Sequence, residues 1–181
     1  MNDSERHSSP YGTREKIARI LWSLVQSTFF RLSFHNWYAW RRFLLRRFGA
    51  VIGTDCVIRR TVRIECPWNL QMGVNSCLGD RVHAYCLGPV KIGSRVSISQ
   101  DAELCAGSHD YSKRGMPLLR PPITVHDDAW VAAGAFVGPD VTVGEGAILG
   151  ARSVAMKDLK AWSVYIGNPA VAVKDRERPR N

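Results

Sequence analysis

VAAGAF, VGPDVT, VGEGAI, LGARSV: these four hexads run from Val131 to Val154 and decide the fold. Each opens on Val or Leu, carries Ala or Gly second, and has a small or β-branched residue fifth. The same beat passes through IGSRVS and ISQDAE (Ile92 to Glu103). It is looser in IGTDCV and IRRTVR (Ile52 to Arg63) and in MGVNSC and LGDRVH (Met72 to His83). Six residues are too few for a pair of helices and suit one short strand plus a turn. The opening aliphatic points inward and stacks on its equivalents. Glycines are expected where the chain bends. Three hexads, about 18 residues, make one triangular coil of a parallel β-helix. A β-sandwich with chance spacing would not give so many near-consecutive hexads.

The beat breaks after Leu104, at CAGSHDYSKRGMPLLRPP, and resumes at Ile123. A long excursion from a strict repeat marks a functional loop. The chain therefore divides into a disordered N-terminus (1–12), a helical basic and aromatic segment (13–48), a coil (49–166) with loop 106–122, and a C-terminal tail (167–181). In the helical segment, Ile17, Ile20, Leu21, Leu24 and Val25 have helical spacing. A second helix over Asn36 to Phe48 ends at Gly49. Its Trp37, Trp40, Phe43, Leu44 and Phe48 are expected to face apolar surroundings, with Arg41, Arg42, Arg46 and Arg47 in water. Such a segment either caps the open end of the coil or lies on a membrane surface.

The 181 residues carry a net charge of +9, concentrated before and after the coil. A basic balance favours an anionic partner, but no nucleic-acid module is recognisable. The five cysteines form no C-x-x-C pair. Cys56 and Cys77 are read at the small fifth hexad position, packed as small hydrophobes. Their odd number fits a reducing cytoplasm better than a disulfide scaffold. No signal peptide is evident, and Ile17 to Phe30 is short of the ~20 residues of a membrane span.

His109, in GSHDY at the start of the excursion, is the leading candidate for chemistry, because imidazole can accept and return a hydroxyl proton near neutral pH. His83 ends a hexad and should point outward in phase with Glu103, one coil on. His126 follows a hexad-opening Val. His83, His109 and His126 lack zinc-ligand spacing, so no metal site is expected. No G-x-S-x-G or phosphate-binding loop is present.

Together these residues resemble the hexapeptide-repeat acyltransferases. The chain is most similar to the colanic-acid-type exopolysaccharide O-acetyltransferases, relatives of the maltose and galactoside acetyltransferases. The resemblance rests on NWYAWRRFLLRRFGAVIG, CPWNLQMGVNSCLGD, LCAGSHDY…PLLRPPI, AWVAAGAFVGPDVTVGEGAILGARSVAMKD and the closing GNPA. It implies an all-β fold, a left-handed parallel β-helix, assembled as a homotrimer with active sites at subunit boundaries. It implies acetyl-CoA as donor, a sugar hydroxyl of an exopolysaccharide or cell-surface glycan precursor as acceptor, and His109 as general base. Trp130, Ala133, Ala151, Lys157 and Lys174 match the donor groove; His83, Tyr85 and Met116 match sugar-contacting positions. Tyr85 stands where galactoside-type relatives carry Asn, and Asp110 and Glu103 are both candidates to orient His109. The enzyme would be cytoplasmic, with residues 13–48 able to meet the inner membrane face if the acceptor is lipid-linked. The alternatives are a small acceptor, such as a free sugar or antibiotic, and a non-catalytic scaffold.

Overall fold

The computed structural model describes residues 10–178. The disorder expected over 1–12 falls, for residues 1–9, outside the described residues. Each hexad places one two- or three-residue strand, and the strands stack into three parallel sheets, as the repeat requires. Face A stacks Val51–Ile52, Leu70–Met72, Val90–Ile92, Ile123–Val125 and Thr142–Val143. Face B stacks Val57–Ile58, Cys77–Leu78, Ser97–Ile98, Trp130–Val131, Ile148–Leu149 and Ser163–Ile166. Face C stacks Arg63–Ile64, His83–Tyr85, Glu103–Cys105, Phe136–Val137 and Val154–Ala155. The hexad openers form continuous buried ladders inside, such as Ile58, Leu78, Ile98, Val131 and Leu149. Between them lie the small fifth residues, including Cys56, Val96, Ala129 and Ala147.

Three details differ from the sequence reading. Cys77 is the sixth residue of its hexad and only half-buried, opposite Ser97; the interior fifth place belongs to Ser76. There Ser76 Oγ donates to Gly93 O at 2.7 Å and accepts from Val96 N at 3.0 Å. The left-handed corner residues are mostly not glycine but Asp55, Asn75, Arg81, Arg95, Asp101, Asp128 and Arg152. The second-position glycines answer to close approach instead: a Cβ on Gly73 would sit 2.6 Å from the carbonyl carbon of Gly93 in the next coil. Finally, the first coils repeat every 20 residues (Val57 opposite Cys77, Cys77 opposite Ser97), whereas Phe136 lies opposite Val154, an 18-residue coil. The two extra residues fall at the corner between faces C and A.

The N-terminal segment forms helix α1 (Thr13–Val25), a π-helical turn (Gln26–Phe30) and helix α2 (Tyr38–Arg47), with Gly49 turning the chain at φ +88°. It reverses the expected sorting at four positions, while Leu44 and Phe48 pack inward and Arg46 and Arg47 are exposed as expected. Arg41 is fully buried, while Trp37, Trp40 and Phe43 are 50%, 37% and 50% exposed. The reason is the ladder of the coil. Amides of one coil donate to carbonyls of the next: Gly53, Val57, Arg59 and Glu65 to Met72, Ser76, Leu78 and Ala84. The equivalent first-coil carbonyls, Ile52, Cys56, Ile58 and Ile64, have no coil before them. The helical segment supplies their donors. Arg46 Nη2 lies 2.6 Å from Ile52 O, Arg42 Nη1 2.8 Å from Cys56 O, Arg41 Nε 2.6 Å from Ile58 O and Trp22 Nε1 2.6 Å from Ile64 O. Arg41 also donates to Ser33 Oγ, Phe34 O and His35 O, locking the turn between the helices. A buried carbonyl left unpaired costs roughly 1–3 kcal/mol, so the donors, the Trp22 indole included, must face the coil, and Trp37, Trp40 and Phe43 are left outside.

The tail is ordered against the coil as far as Arg176. Val171–Asp175 folds back antiparallel on Ser163–Ile166, and Arg176 Nη1 donates to Asp128 O and Gly146 O, both at 2.9 Å.

Candidate functional site

The chain leaves the solenoid at the C–A corner that is already longer in the first coils. Ser108–His109 pairs antiparallel with Leu118–Leu119, making a hairpin outside the three stacked sheets, with Leu118 packed against the core. At its root Gly107 packs on Tyr85: a Cβ there would lie 2.8 Å from Tyr85 Cε1 and 3.2 Å from Leu87 Cδ1. Burial raises the Tyr85 phenol above its ordinary pKa.

His109 is exposed at the hairpin, and its Nδ1 lies 2.7 Å from the main-chain carbonyl of Met116. A carbonyl oxygen only accepts, so Nδ1 carries the hydrogen and Nε2 presents a lone pair to solvent. Met116 is held in the left-handed region, at φ +44°, with its N–H on Lys113 O at 2.9 Å. Neither expected carboxylate orients the imidazole. Asp110 instead builds the turn, accepting from Ser112 N at 3.1 Å and pairing with Lys113 Nζ at 3.1 Å. Glu103 faces His83 Nδ1 at 3.4 Å.

His83 and Tyr85 project from face C beneath the hairpin, their rings 5.5 Å apart. His83 pairs in register with Glu103, as its phase requires. Its Nε2 is buried with no hydrogen-bond partner among the described residues, 3.6 Å from Glu65 Oε1. His83, then Arg63, holds the Glu65 carboxyl below the usual range. Sequence reasoning missed the rest of this corner. Arg19 of α1 reaches Glu65 at 3.5 Å. Tyr11 lies under the guanidinium groups of Arg19 and Arg120, at 4.4 and 5.0 Å. Arg120, on the hairpin's return, pairs with Glu15 at 3.1 Å. Only one signal was available: Glu65, Tyr85 and Cys105 recur every 20 residues on one outward phase.

The donor-side candidates fall elsewhere. Ala133 and Ala151 occupy equivalent places at the B–C corner of successive coils, and Arg152 N donates to Ala133 O at 2.9 Å. Trp130, 44% exposed, lies on face B just before that corner, with Nε1 on Ser99 Oγ at 2.9 Å. Lys157 is exposed at the C–A corner, two coils beyond the hairpin. Lys174 is exposed on the fold-back strand, opposite Val164. Within one chain the width of face C therefore separates the hairpin from the Ala133–Ala151 corner.

No protein-family model matches the chain. It is 43% identical over 178 residues to WcaF of Escherichia coli K12, named as a putative colanic acid biosynthesis acetyltransferase, covering 97% of this chain and 98% of that one. A hexapeptide-repeat acetyltransferase of Vibrio cholerae, solved with acetyl coenzyme A, superposes with a TM-score of 0.82 at 21% identity, covering 98% of this chain and all (100%) of the other. A galactoside acetyltransferase solved with coenzyme A superposes with a TM-score of 0.83 at 18% identity, covering 98% and 92%. The near-complete coverage by WcaF, on a solenoid of the same hexad architecture, shows that this chain belongs to the WcaF family of hexapeptide-repeat acetyltransferases.

Proposed function

We propose that the chain moves an acetyl group from acetyl-CoA to a sugar hydroxyl of an exopolysaccharide or cell-surface glycan precursor. The observation that carries this reading is His109: it stands free on the hairpin, with Nδ1 tied to Met116 O and Nε2 open. His109 Nε2 takes the hydroxyl proton as that oxygen attacks the thioester carbonyl. The tetrahedral oxyanion requires a hydrogen-bond donor, for which a backbone N–H serves. As the intermediate collapses, the carbon–sulfur bond breaks and the imidazolium returns its proton to the thiolate. The products are an acetyl ester and free coenzyme A. The Met116 carbonyl stabilises the imidazolium in between and fixes the tautomer.

His83, Tyr85 and the Met116 side chain contact the acceptor at the foot and tip of the hairpin. Ala133 and Ala151, with small side chains that expose the backbone, line the path of the pantetheine arm. Trp130 forms its wall, and Lys157 and Lys174 meet the cofactor's phosphates as point charges. The separation of hairpin and groove by face C favours a homotrimer, in which the hairpin of one subunit meets the groove of the next. The enzyme works in the cytoplasm, with its N-terminal segment as a peripheral contact to the inner membrane face; among the described residues no helix is long and apolar enough to cross a membrane.

Thiol release from acetyl-CoA, measured with a panel of glycan acceptors, tests the reading. His109→Ala is expected to lose on the order of 10²-fold or more in turnover with unchanged melting temperature. Equal turnover by both proteins removes His109 from the mechanism. Absence of turnover with every acceptor favours the scaffold reading.

A further inference from the structure

The exposed side of the helical segment is one continuous apolar face. Phe29, Leu32, Trp37 and Trp40 line a shared groove, 260 Å³ in volume, together with Thr28 and Ser33. Phe34 packs on Trp37 with ring centroids 5.1 Å apart, and Phe43 stacks on Trp40 at 5.6 Å. Leu32 is 77% exposed, Phe34 67% and Phe29 64%. With about 200 Å² in a large side chain, the face presents on the order of 600 Å², the upper end of what a monomer exposes. It is not a by-product of loose packing, because the buried side of the segment is fixed by Arg41, Arg42, Arg46 and Trp22.

The charge around this face selects its occupant. Between Lys16 and Phe48 there is no acidic residue, while Arg31 and Arg47 are exposed. A two-fold contact with a second copy would set these arginines against themselves. Aromatic and leucine side chains within a basic rim suit the interface of an anionic bilayer, where rings sit at headgroup depth and arginines meet lipid phosphates.

We infer that the face formed by Phe29, Leu32, Phe34, Trp37, Trp40 and Phe43 docks the enzyme on an anionic phospholipid bilayer. This deepens, and rests on, the reading of the chain as acting on a glycan precursor at the membrane. It also sets the geometry of delivery. Glu15, in the first turn of α1, is tied to Arg120 of the hairpin's return, and the far end of α1 leads directly into Gln26–Phe30 at the docking face. At 1.5 Å per residue those ends lie about 16 Å apart, so a saccharide held on a lipid anchor reaches the hairpin within a few sugar lengths.

The experiment is flotation of the full chain with vesicles of phosphatidylcholine alone and of phosphatidylcholine with phosphatidylglycerol, at about 0.1 M salt. The wild type is expected to float with the anionic vesicles about tenfold better than with the neutral ones, or more. The triple variant Phe29→Ser, Leu32→Ser, Phe34→Ser is expected to lose binding by on the order of 100-fold, while keeping wild-type turnover with a soluble acceptor. If the triple variant does not fold, Leu32→Ser alone gives the same reading as a loss of about tenfold. Absence of flotation by the wild type, or equal flotation by the variants, overturns the inference. So does a drop in sedimenting mass of the triple variant, which would make the face a subunit contact. Flotation without any acetyl transfer leaves the docking face standing and sinks the enzymatic reading; turnover without flotation does the reverse.

Discussion

In the solenoid, apolar side chains fill the interior and charged ones stay on the corners and on the outward faces of the strands, as at Arg63, Lys91 and Glu103. In α2, just ahead of the first coil, Arg41 is as fully buried as Leu45, while Trp40 and Phe43 face out. The two regions contain the same residue types and obey the same accounting of backbone hydrogen bonds. In the middle of the solenoid each coil satisfies the next, so side chains need only pack. At its start the ladder is open, and whatever covers it must donate. Arginines, with several N–H groups on a flexible stem, do that at three places and the Trp22 indole N–H at a fourth; a phenylalanine ring cannot. Arginine content that suggests an anionic ligand is thus partly consumed by the protein's own carbonyls; Arg31 and Arg47 are left over.

The largest effect that tests this contrast is at Arg41. Arg41→Met keeps roughly the volume but leaves Ile58 O unpaired in a buried place and removes the donor to Ser33 Oγ, Phe34 O and His35 O. The expected loss is about 3 kcal/mol or more in urea unfolding, against a change within ~0.5 kcal/mol for Phe43→Ser on the exposed side of the same helix. If the two substitutions cost the same, the edge-capping account fails.

Gly73→Ala comes next, probing the body rather than the cap. Its added methyl meets Gly93 and Ser94 backbone within 2.6 Å, and overpacking against main chain is expected to cost about 1–3 kcal/mol. A neutral result would mean that successive coils can slide apart locally.

The cysteines sharpen the same division. Burial pushes Cys66 up to about 11 and Cys86 up to about 12. Since both folded values exceed the unfolded one, near 8.5, their contribution is intact below that pH and is lost as pH rises toward about 11–12. Thermal unfolding should therefore soften on the alkaline side, and Cys66→Ala, Cys86→Ala should flatten that limb. In native protein, alkylation should reach the half-buried Cys77 and Cys105 well before Cys56, Cys66 and Cys86.

The smallest expected effect lies where the two regions meet. Glu65, beside His83 and Arg63 and bridged to Arg19, has a depressed folded pKa. Its contribution is present above the ordinary carboxylate range and is lost as pH falls below about 4. Glu65→Gln should shift the acid limb of the unfolding curve slightly and leave the neutral region unchanged.

The interior of the site's scaffold was readable because the hexad repeats the same demand every six residues: an aliphatic inward, a small residue at the corner. His109 was readable because it stands just beyond the place where that beat breaks. Its orienting partner was not, since Met116 O is a main-chain atom, brought back across the hairpin by the turn that Asp110 builds. No side-chain pattern announces a carbonyl. The Glu65–Arg19–Tyr11–Arg120 corner was equally hidden, because its members come from the chain before α1, α1 itself, the coil and the hairpin.

By itself, then, the sequence determined the repeat, the three-faced solenoid, the position of the excursion and the histidine within it, because each is a local or periodic property of the chain. Only the tertiary structure decided which face of the N-terminal helices is buried, what holds His109 in one tautomer, and that a face of exposed rings remains beside the coil. Those depend on which carbonyls are left open when the coils stack, a fact that exists only once residues far apart in the chain are brought together.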